Sequence, residues 1–416
     1  MSTTKPFIIS KRLVYAAFQS VKANAGAAGV DKESIADFEK NLRDNLYKIW
    51  NRMSSGSYFP QPVKAVAIPK KSGGERILGV PTVADRVAQM VGKMSFEPSV
   101  EPVFLPDSYG YRPGKSALDA VSITRKRCWQ YDWVLEFDIK GLFDNIDHEL
   151  LLRAVNKHTE CTWVKLYIER WLKAPMQLAD GTLVQRTKGT PQGGVISPVL
   201  ANLFLHYTFD VWMTRTFPGV RWCRYADDGL VHCRTEHEAR AIEAALAARL
   251  AECHLEMHPE KTRIVYCKDG GRKGKYPDTK FDFLGYTFRP RVVKNRRRNS
   301  LFVSFTPAVS AAALKDMRQK TRRQNFRNRT NLSLNDIARM YNPVLRGWLE
   351  YYGRFRPSAM YPVLRHFNKT LVAWSMRKYR RLKGHKTRAS LFIEGISERQ
   401  PQLFVHWQRG MVGAFA

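Results

Sequence analysis

The sequence predicts an α+β fold, on three observations: apolar residues at helical spacing over the first 60 positions, two apolar strand-like segments in the middle that carry carboxylates, and a basic helical stretch near the C-terminus. Residues 1–60 read as helices, with Leu13, Ala17, Phe18 and Val21 on one face and a second run from Ile35 through Leu42, Leu46 and Ile49. Gly29 and Ser54-Ser55-Gly56 punctuate them. Val63 to Ile68 and Arg76 to Val80 read as the strands of a hairpin around a donor-rich turn, Lys71 to Glu75.

Trp133 to Ile139 reads as a central strand in which Trp133, Leu135, Phe137 and Ile139 share one face and Asp138 projects from the other beside Glu136. Arg221 to Cys233 reads as two short strands broken by a hairpin tip at Ala226-Asp227-Asp228-Gly229. Thr235 and Glu238 then form a capping box for a helix with Ile242, Leu246, Leu250 and Cys253 at helical spacing. Residues 289–329 hold 13 Lys or Arg against Asp316 alone, and this composition shift marks a boundary. Beyond it, Ile337, Tyr341, Val344, Leu345, Trp348 and Tyr352 share a helical face, followed by a second basic helix around Trp374 to Leu382.

The 416 residues are too many for one small core, and 44% hydrophobic content predicts a buried one. With 69 Lys plus Arg against 37 Asp plus Glu, the net charge is +32, which calls for a polyanionic partner. Nucleic acid fits, because each phosphate neutralised releases a condensed counterion. A membrane fits less well: the cations are dispersed and no run of 18 apolar residues occurs. The six cysteines contain no C-x-x-C pair, so buried thiols are expected, not a zinc ribbon or disulfide scaffold. The first residues carry no signal-peptide pattern, so a bacterial cytoplasmic or nucleoid setting is expected.

Transfer of a nucleotide from its triphosphate needs divalent cations held by hard oxygen ligands, so carboxylates must converge. Asp138 at one strand end and Asp227 with Asp228 at a hairpin tip could meet in that way. An Asp-Asp-Gly turn with no such role is the plainer reading of those letters alone.

Tyr225-Ala226-Asp227-Asp228 resembles the YxDD box of reverse transcriptases, and the chain resembles their group II intron branch in successive blocks. These are Ile68 to Thr82, Ser108 to Gly114, Phe137 to Asp147, Gly189 to Pro198, His258 to Thr262 and Phe283 to Tyr286. The resemblance implies a right-hand polymerase, with fingers and an antiparallel palm sheet and a helical thumb. Its parts would be N-terminal extension helices at 1–60, fingers and palm at 61–295, and a thumb or maturase domain X at 296–416.

It also implies roles. Asp138, Asp227 and Asp228 would bind two Mg²⁺ ions, with Mn²⁺ as the alternative, and the Ile139 carbonyl would complete the site. Lys70 and Arg76 would clamp the triphosphate, Arg by a bidentate fork and Lys as a point charge. Phe143 would be the steric gate against a 2′-OH, against a plain core-packing reading. Gln192 would pack on the incoming dNTP, Lys261 would lie near the nascent strand or merely start a helix, and Tyr225 would support the primer end. Arg296, Arg297, Arg298, Arg322 and Arg323 would contact nucleic acid, with Trp348, Tyr351, Tyr352, Trp374 and Tyr379 available for stacking or for the thumb core.

The implied partners are group II intron RNA, an RNA template with DNA or RNA primer, dNTPs and a DNA target. The sequence shows neither the DNA-binding segment nor the His-Asn-His endonuclease of longer family members, which resembles the compact class C branch. Three functional readings follow: an active polymerase serving intron mobility and splicing, an RNA-binding maturase that does not polymerise, and a host-adopted enzyme of repair or defence.

Overall fold

The computed structural model describes residues 5–69, 74–295 and 298–412. In chain order the described elements begin with helices α1 (Lys11–Asn24), α2 (Ile35–Lys40) and α3 (Leu42–Ser55), then strands β1 (Val63–Pro69) and β2 (Glu75–Val80) and helices α4 (Val83–Val100) and α5 (Ala117–Cys128). Next come β3 (Trp133–Asp138), α6 (Leu142–Asn145), α7 (His148–His158), α8 (Thr162–Lys173), β4 (Met176–Gln177), β5 (Leu183–Val184) and α9 (Ser197–Leu205). A π-helical turn, His206–Asp210, leads into α10 (Val211–Thr216), β6 (Arg221–Tyr225), β7 (Asp228–Cys233) and α11 (Glu236–Glu252). The chain continues with β8 (Arg263–Tyr266), β9 (Phe281–Phe283), β10 (Tyr286–Asn295), β11 (Ser300–Val309) and helices α12 (Ala311–Gln324), α13 (Leu334–Tyr352), α14 (Tyr361–Lys378), α15 (Lys386–Arg399) and α16 (Val405–Gln408). This is the mixed α+β class that the sequence predicts.

Two compact units result, one of residues 1–120 and 135–264, the other of 121–134 and 265–416. In the first unit, α1 buries Val14, Ala17, Phe18 and Val21 against α4, and Phe18 stacks on Phe38 of α2 at 5.7 Å. Each such aromatic contributes roughly 1.5–3 kcal/mol by leaving water. The hairpin of β1 and β2 runs antiparallel with Ile68 opposite Arg76 and Pro69 opposite Glu75. Its far end leaves Ile68 and Ile77 exposed, as a projecting two-stranded element must.

The palm sheet has the order β6-β7-β3-β8. Both faces of β3 carry buried residues: Leu135 and Phe137 on one, Val134 and Asp138 on the other. Glu136 on that second face is answered by Arg263 of β8 at 2.9 Å. Helix α11 starts at Thr235 as the capping signal predicts, although the Glu238 carboxylate accepts from the Arg234 N–H instead of the Thr235 N–H. All six cysteines are free thiols and five are buried. Among the described residues no helix is long and apolar enough to cross a membrane.

The second unit is a helical body joined to a three-stranded sheet of order β11-β10-β9. Its helices share one core in which Met317, Phe326, Tyr341, Phe367, Trp374, Phe404 and Trp407 are buried. Trp374 is fully buried and belongs to the core, and Tyr379, half-buried, packs edge-on against it at 5.9 Å. Tyr286, whose hydroxyl donates to the Tyr351 carbonyl, ties β10 to the end of α13. Helix α13 opens with a full capping box between Ser333 and Asp336, worth about 1 kcal/mol.

His406 sits fully buried in this core, with Nε2 donating to Asn368 Oδ1 at 2.7 Å. Burial pushes its imidazole from 6.5 down to about 3. The unfolded side chain therefore takes up a proton near 6.5 that the folded one refuses until about 3. Stability from this group is complete above 6.5 and is lost as pH falls below it, at up to about 1.4 kcal/mol per pH unit. Urea unfolding of the protein and of His406→Phe between pH 8 and 5 checks this; the acid-side loss of stability shrinks in the variant, and equal slopes would refute the assignment.

Candidate active site

The turn between β6 and β7 pairs Tyr225 with Asp228, leaving Ala226 and Asp227 at the tip. Ala226 takes a left-handed conformation with φ 56°, which a non-glycine residue holds only where surroundings impose it. Two contacts do so. Gly110 lies so close that a β-carbon there would stand 2.4 Å from the Ala226 nitrogen, and the Arg224 guanidinium donates to the Ala226 carbonyl at 3.1 Å. Gly229 is equally constrained, because a β-carbon there would fall 2.1 Å from the Phe137 ring.

Arg224 was not anticipated by the sequence reading. It is wholly buried and spends all five N–H donors: Nε and Nη2 fork onto Asp210 at 2.7 Å each, Nη2 also reaches Ser108 Oγ at 2.8 Å, and Nη1 reaches Asn202 Oδ1 and the Ala226 carbonyl at 3.1 Å. Asn202 in turn donates to the Gly110 carbonyl at 2.7 Å. An arginine flanked by Cys223 and Tyr225 inside a strand was the available signal, but nothing in the letters pointed to Asp210 as its partner.

The structure brings Asp138, Asp227 and Asp228 into one electrostatic cluster. Burial and then the charges of Asp227 and Asp138 push Asp228 up to about 7, even though the residue reaches solvent. Burial also raises Asp227, with Asp138 adding to it and Lys261 and Arg76 opposing. Lys261 Nζ pairs with Asp138 Oδ2 at 2.8 Å. Burial alone would pull the Lys261 ammonium down, yet the hydrogen bond and charge of Asp138, with Asp228 and Asp227 behind it, raise it on balance.

Carboxylates clustered in this way are hard oxygen donors, the set that divalent cations of the magnesium type accept. Among the described residues no three His, Cys, Asp or Glu side chains converge into a ready-made metal cage. Ile139 is buried and bridges Met257, while the Asp138 carbonyl accepts from His258 N–H at 2.8 Å.

The other predicted residues of this unit lie around the cluster. Arg76 is exposed on β2 and near enough to Asp227 and Tyr111 that its charge opposes the upward shift of both. Gln192 donates to Asp144 Oδ2 at 3.0 Å, and its carbonyl accepts from Gly79 N–H at 2.8 Å. Gly193, at φ 121°, lies against the Gly79 carbonyl, where a β-carbon would stand at 2.6 Å, so the loop clamps the base of the hairpin. Phe143 is half-buried, and its carbonyl accepts from Thr190 N–H at 2.6 Å. Tyr225 is half-buried, 6.5 Å from the Tyr111 ring.

Lys70, Arg296 and Arg297 lie outside the described residues. In the second unit, Arg298 is exposed where β10 turns into β11, with its N–H on Asn295 Oδ1 at 3.2 Å, and Arg322 and Arg323 are exposed in the last turn of α12.

Residues 68–288 match the family described as reverse transcriptase (RNA-dependent DNA polymerase), and residues 314–391 match the maturase-specific domain of group II introns. The group II intron-encoded protein LtrA of Lactococcus lactis subsp. cremoris is 34% identical over 203 residues, 48% of this chain and 33% of that protein. Protein YkfC of Escherichia coli (strain K12) is 29% identical over 312 residues, 66% of this chain and 78% of its own length. The chain thus spans about a third of the first relative and over three quarters of the second. A solved apo telomerase from Candida tropicalis aligns with TM-score 0.43 and 12% identity, over 55% of this chain and 53% of that one.

Proposed function

Because this chain belongs to the reverse transcriptase (RNA-dependent DNA polymerase) family and carries a group II intron maturase-specific domain, we propose that it copies RNA into DNA by adding dNTPs to a primer 3′-OH. The observation that carries this reading is the cluster of Asp138, Asp227 and Asp228 on a strand end and a braced hairpin tip. These carboxylates, with the Ile139 carbonyl, would hold two Mg²⁺ ions, or Mn²⁺ in their place. When bound, such ions lower the pKa of the attacking hydroxyl and offset the charge of the leaving pyrophosphate.

The chain's own residues do the rest. Arg76 and Lys70 receive the triphosphate; Lys261 neutralises one carboxylate and meets the same phosphates. Gln192, held by Asp144 and Gly79, packs on the nucleotide, and Tyr225 supports the primer end. Fingers and palm are assigned to 61–295, preceded by the extension helices 1–60 and followed by the thumb from 296. Arg298, Arg322 and Arg323, with Arg296 and Arg297, contact RNA in the thumb. Intron RNA, a primed RNA template and a DNA target are its partners, and splicing assistance and intron mobility of the class C kind are the processes served. The match over 314–391 supports the splicing role.

Phe143 excludes the 2′-OH in this reading. Phe143→Ala is expected to reduce the preference for dNTP over rNTP by roughly 10–100-fold, the range a pocket loses when its filling side chain is removed. Single-nucleotide incorporation opposite an RNA template base measures it. Unchanged discrimination with normal dNTP incorporation would return Phe143 to the core, and absence of any dNTP incorporation by the unmutated protein would count against the polymerase reading itself.

A further inference from the structure

Helices α7 and α11, the end of α9 and the π-helical turn His206–Asp210 line a cavity of about 310 Å³ in the first unit. Small-molecule sites begin at this size, in a range of roughly 300–1,000 Å³. None of the residues assigned above to metal, dNTP or primer lines it. Leu150, Ala154, Phe204, Tyr207 and Cys253 give it an apolar and aromatic wall. A π-helical turn is rare in proteins and recurs at functional sites.

Three cations stand around this wall. Arg153 and Lys157 lie one turn apart on α7, both exposed, and among the described residues neither forms an ion pair. Lys157 Nζ sits 5.0 Å from the centre of the Tyr207 ring, a contact that leaves its charge unneutralised. Arg249 of α11 is half-buried and fixed: Nε donates to the Thr208 carbonyl and Nη2 to the Tyr207 carbonyl, each at 3.2 Å, and Nη1 pairs with Glu252 at 3.0 Å. The Tyr207 hydroxyl shares a hydrogen bond of 2.6 Å with His158 Nε2, so the ring is set before a ligand arrives. One carboxylate against three cations leaves two positive charges beside an apolar hollow. A ligand that answers both has a flat apolar body and a head with about two negative charges. A carboxylate brings one charge, whereas a terminal phosphate brings about 1.5–2 at neutral pH. An unpaired nucleotide within RNA brings a phosphate on either side.

We propose that this cavity is a nucleotide site, in which the base lies against Phe204 and Tyr207 and the phosphate is taken by Arg153, Lys157 and Arg249. The nucleotide is either a free nucleoside monophosphate or an unpaired residue of bound RNA, and both present the same chemistry here. The site goes beyond the polymerase reading, because it needs neither the carboxylate cluster nor a metal ion.

The test uses the full-length protein in EDTA, which keeps metal-dependent binding at the carboxylate cluster out of the measurement. Equilibrium dialysis with labelled AMP is expected to show saturable binding, with adenosine and inorganic phosphate each competing about tenfold less well or worse. Ala154→Trp fills the cavity, and Arg153→Gln with Lys157→Gln breaks no hydrogen bond or ion pair among the described residues. Each variant is expected to weaken AMP binding by about tenfold or more. Lys22→Gln with Lys40→Gln removes the same charge from lysines paired with Glu39 and Asp37 and should leave it unchanged. The Arg153 and Lys157 variant keeps the test valid if Ala154→Trp misfolds. An RNA duplex with a single-nucleotide bulge, compared with its fully paired form, separates the two sources. A preference for the bulge that is lost in the pocket variants identifies an unpaired RNA nucleotide as the occupant; AMP binding without that preference identifies a free nucleotide. Four results would overturn the proposal: neither AMP binding nor bulge preference, phosphate binding as tight as AMP, binding unchanged in the pocket variants, or an equal loss in the Lys22 and Lys40 variant. DNA synthesis that fails while AMP still binds would count against the polymerase reading alone and leave the pocket in place.

Discussion

Asp227→Asn is expected to lower the rate of DNA synthesis by about a thousandfold or more while leaving affinity for RNA unchanged. Asp227 sits at the tip of the β6–β7 turn, and after burial its charge, with that of Asp138, raises Asp228. The amide keeps the shape but removes one of the three negative charges that would hold metal ions. Such ions stabilise transition-state charge by several kcal/mol, and each 1.4 kcal/mol is a factor of ten in rate. Primer extension with parallel RNA-binding measurements checks this; a loss below tenfold would mean that Asp227 is not a metal ligand.

Arg224→Met is expected to destabilise the first unit by about 3–5 kcal/mol, because it strands the Asp210 carboxylate in a site with no exposure at all. The double variant Arg224→Met with Asp210→Leu removes both charges and is expected to recover most of that loss. It should not recover full DNA synthesis, since the Ala226 carbonyl still lacks the donor that helps hold the turn. Urea unfolding separates the two effects from activity. If the double variant is as unstable as the single one, the pair's role is packing and not charge compensation.

Much of this organisation could be read from the letters because it depends on local rules. The hairpin was legible from two short strands broken near Ala226-Asp227-Asp228-Gly229, although Asp228 and Gly229 belong to β7 and only Ala226 and Asp227 form the tip. Helix α11 was legible from its cap and periodicity. The carboxylate trio was legible through spacing and company. What escaped were features set by contacts distant in sequence. Asp210 and Arg224 meet because a π-helical turn and β6 are brought together, and a lone acid before α10 announces nothing. The same holds for Lys261, whose ion pair with Asp138 spans 123 residues. Trp374 looked available for stacking because aromatics among cations read alike on a surface and in a core; only burial distinguishes them.

The most direct measurement is cDNA synthesis by the unmutated protein on a heteropolymeric RNA template with a DNA primer, all four dNTPs and Mg²⁺, followed by sequencing of the product. The account predicts a product complementary to the template, abolished by EDTA and restored by excess Mg²⁺. No templated product, from protein that still binds the primed RNA, would contradict it and leave RNA binding as the function of this chain.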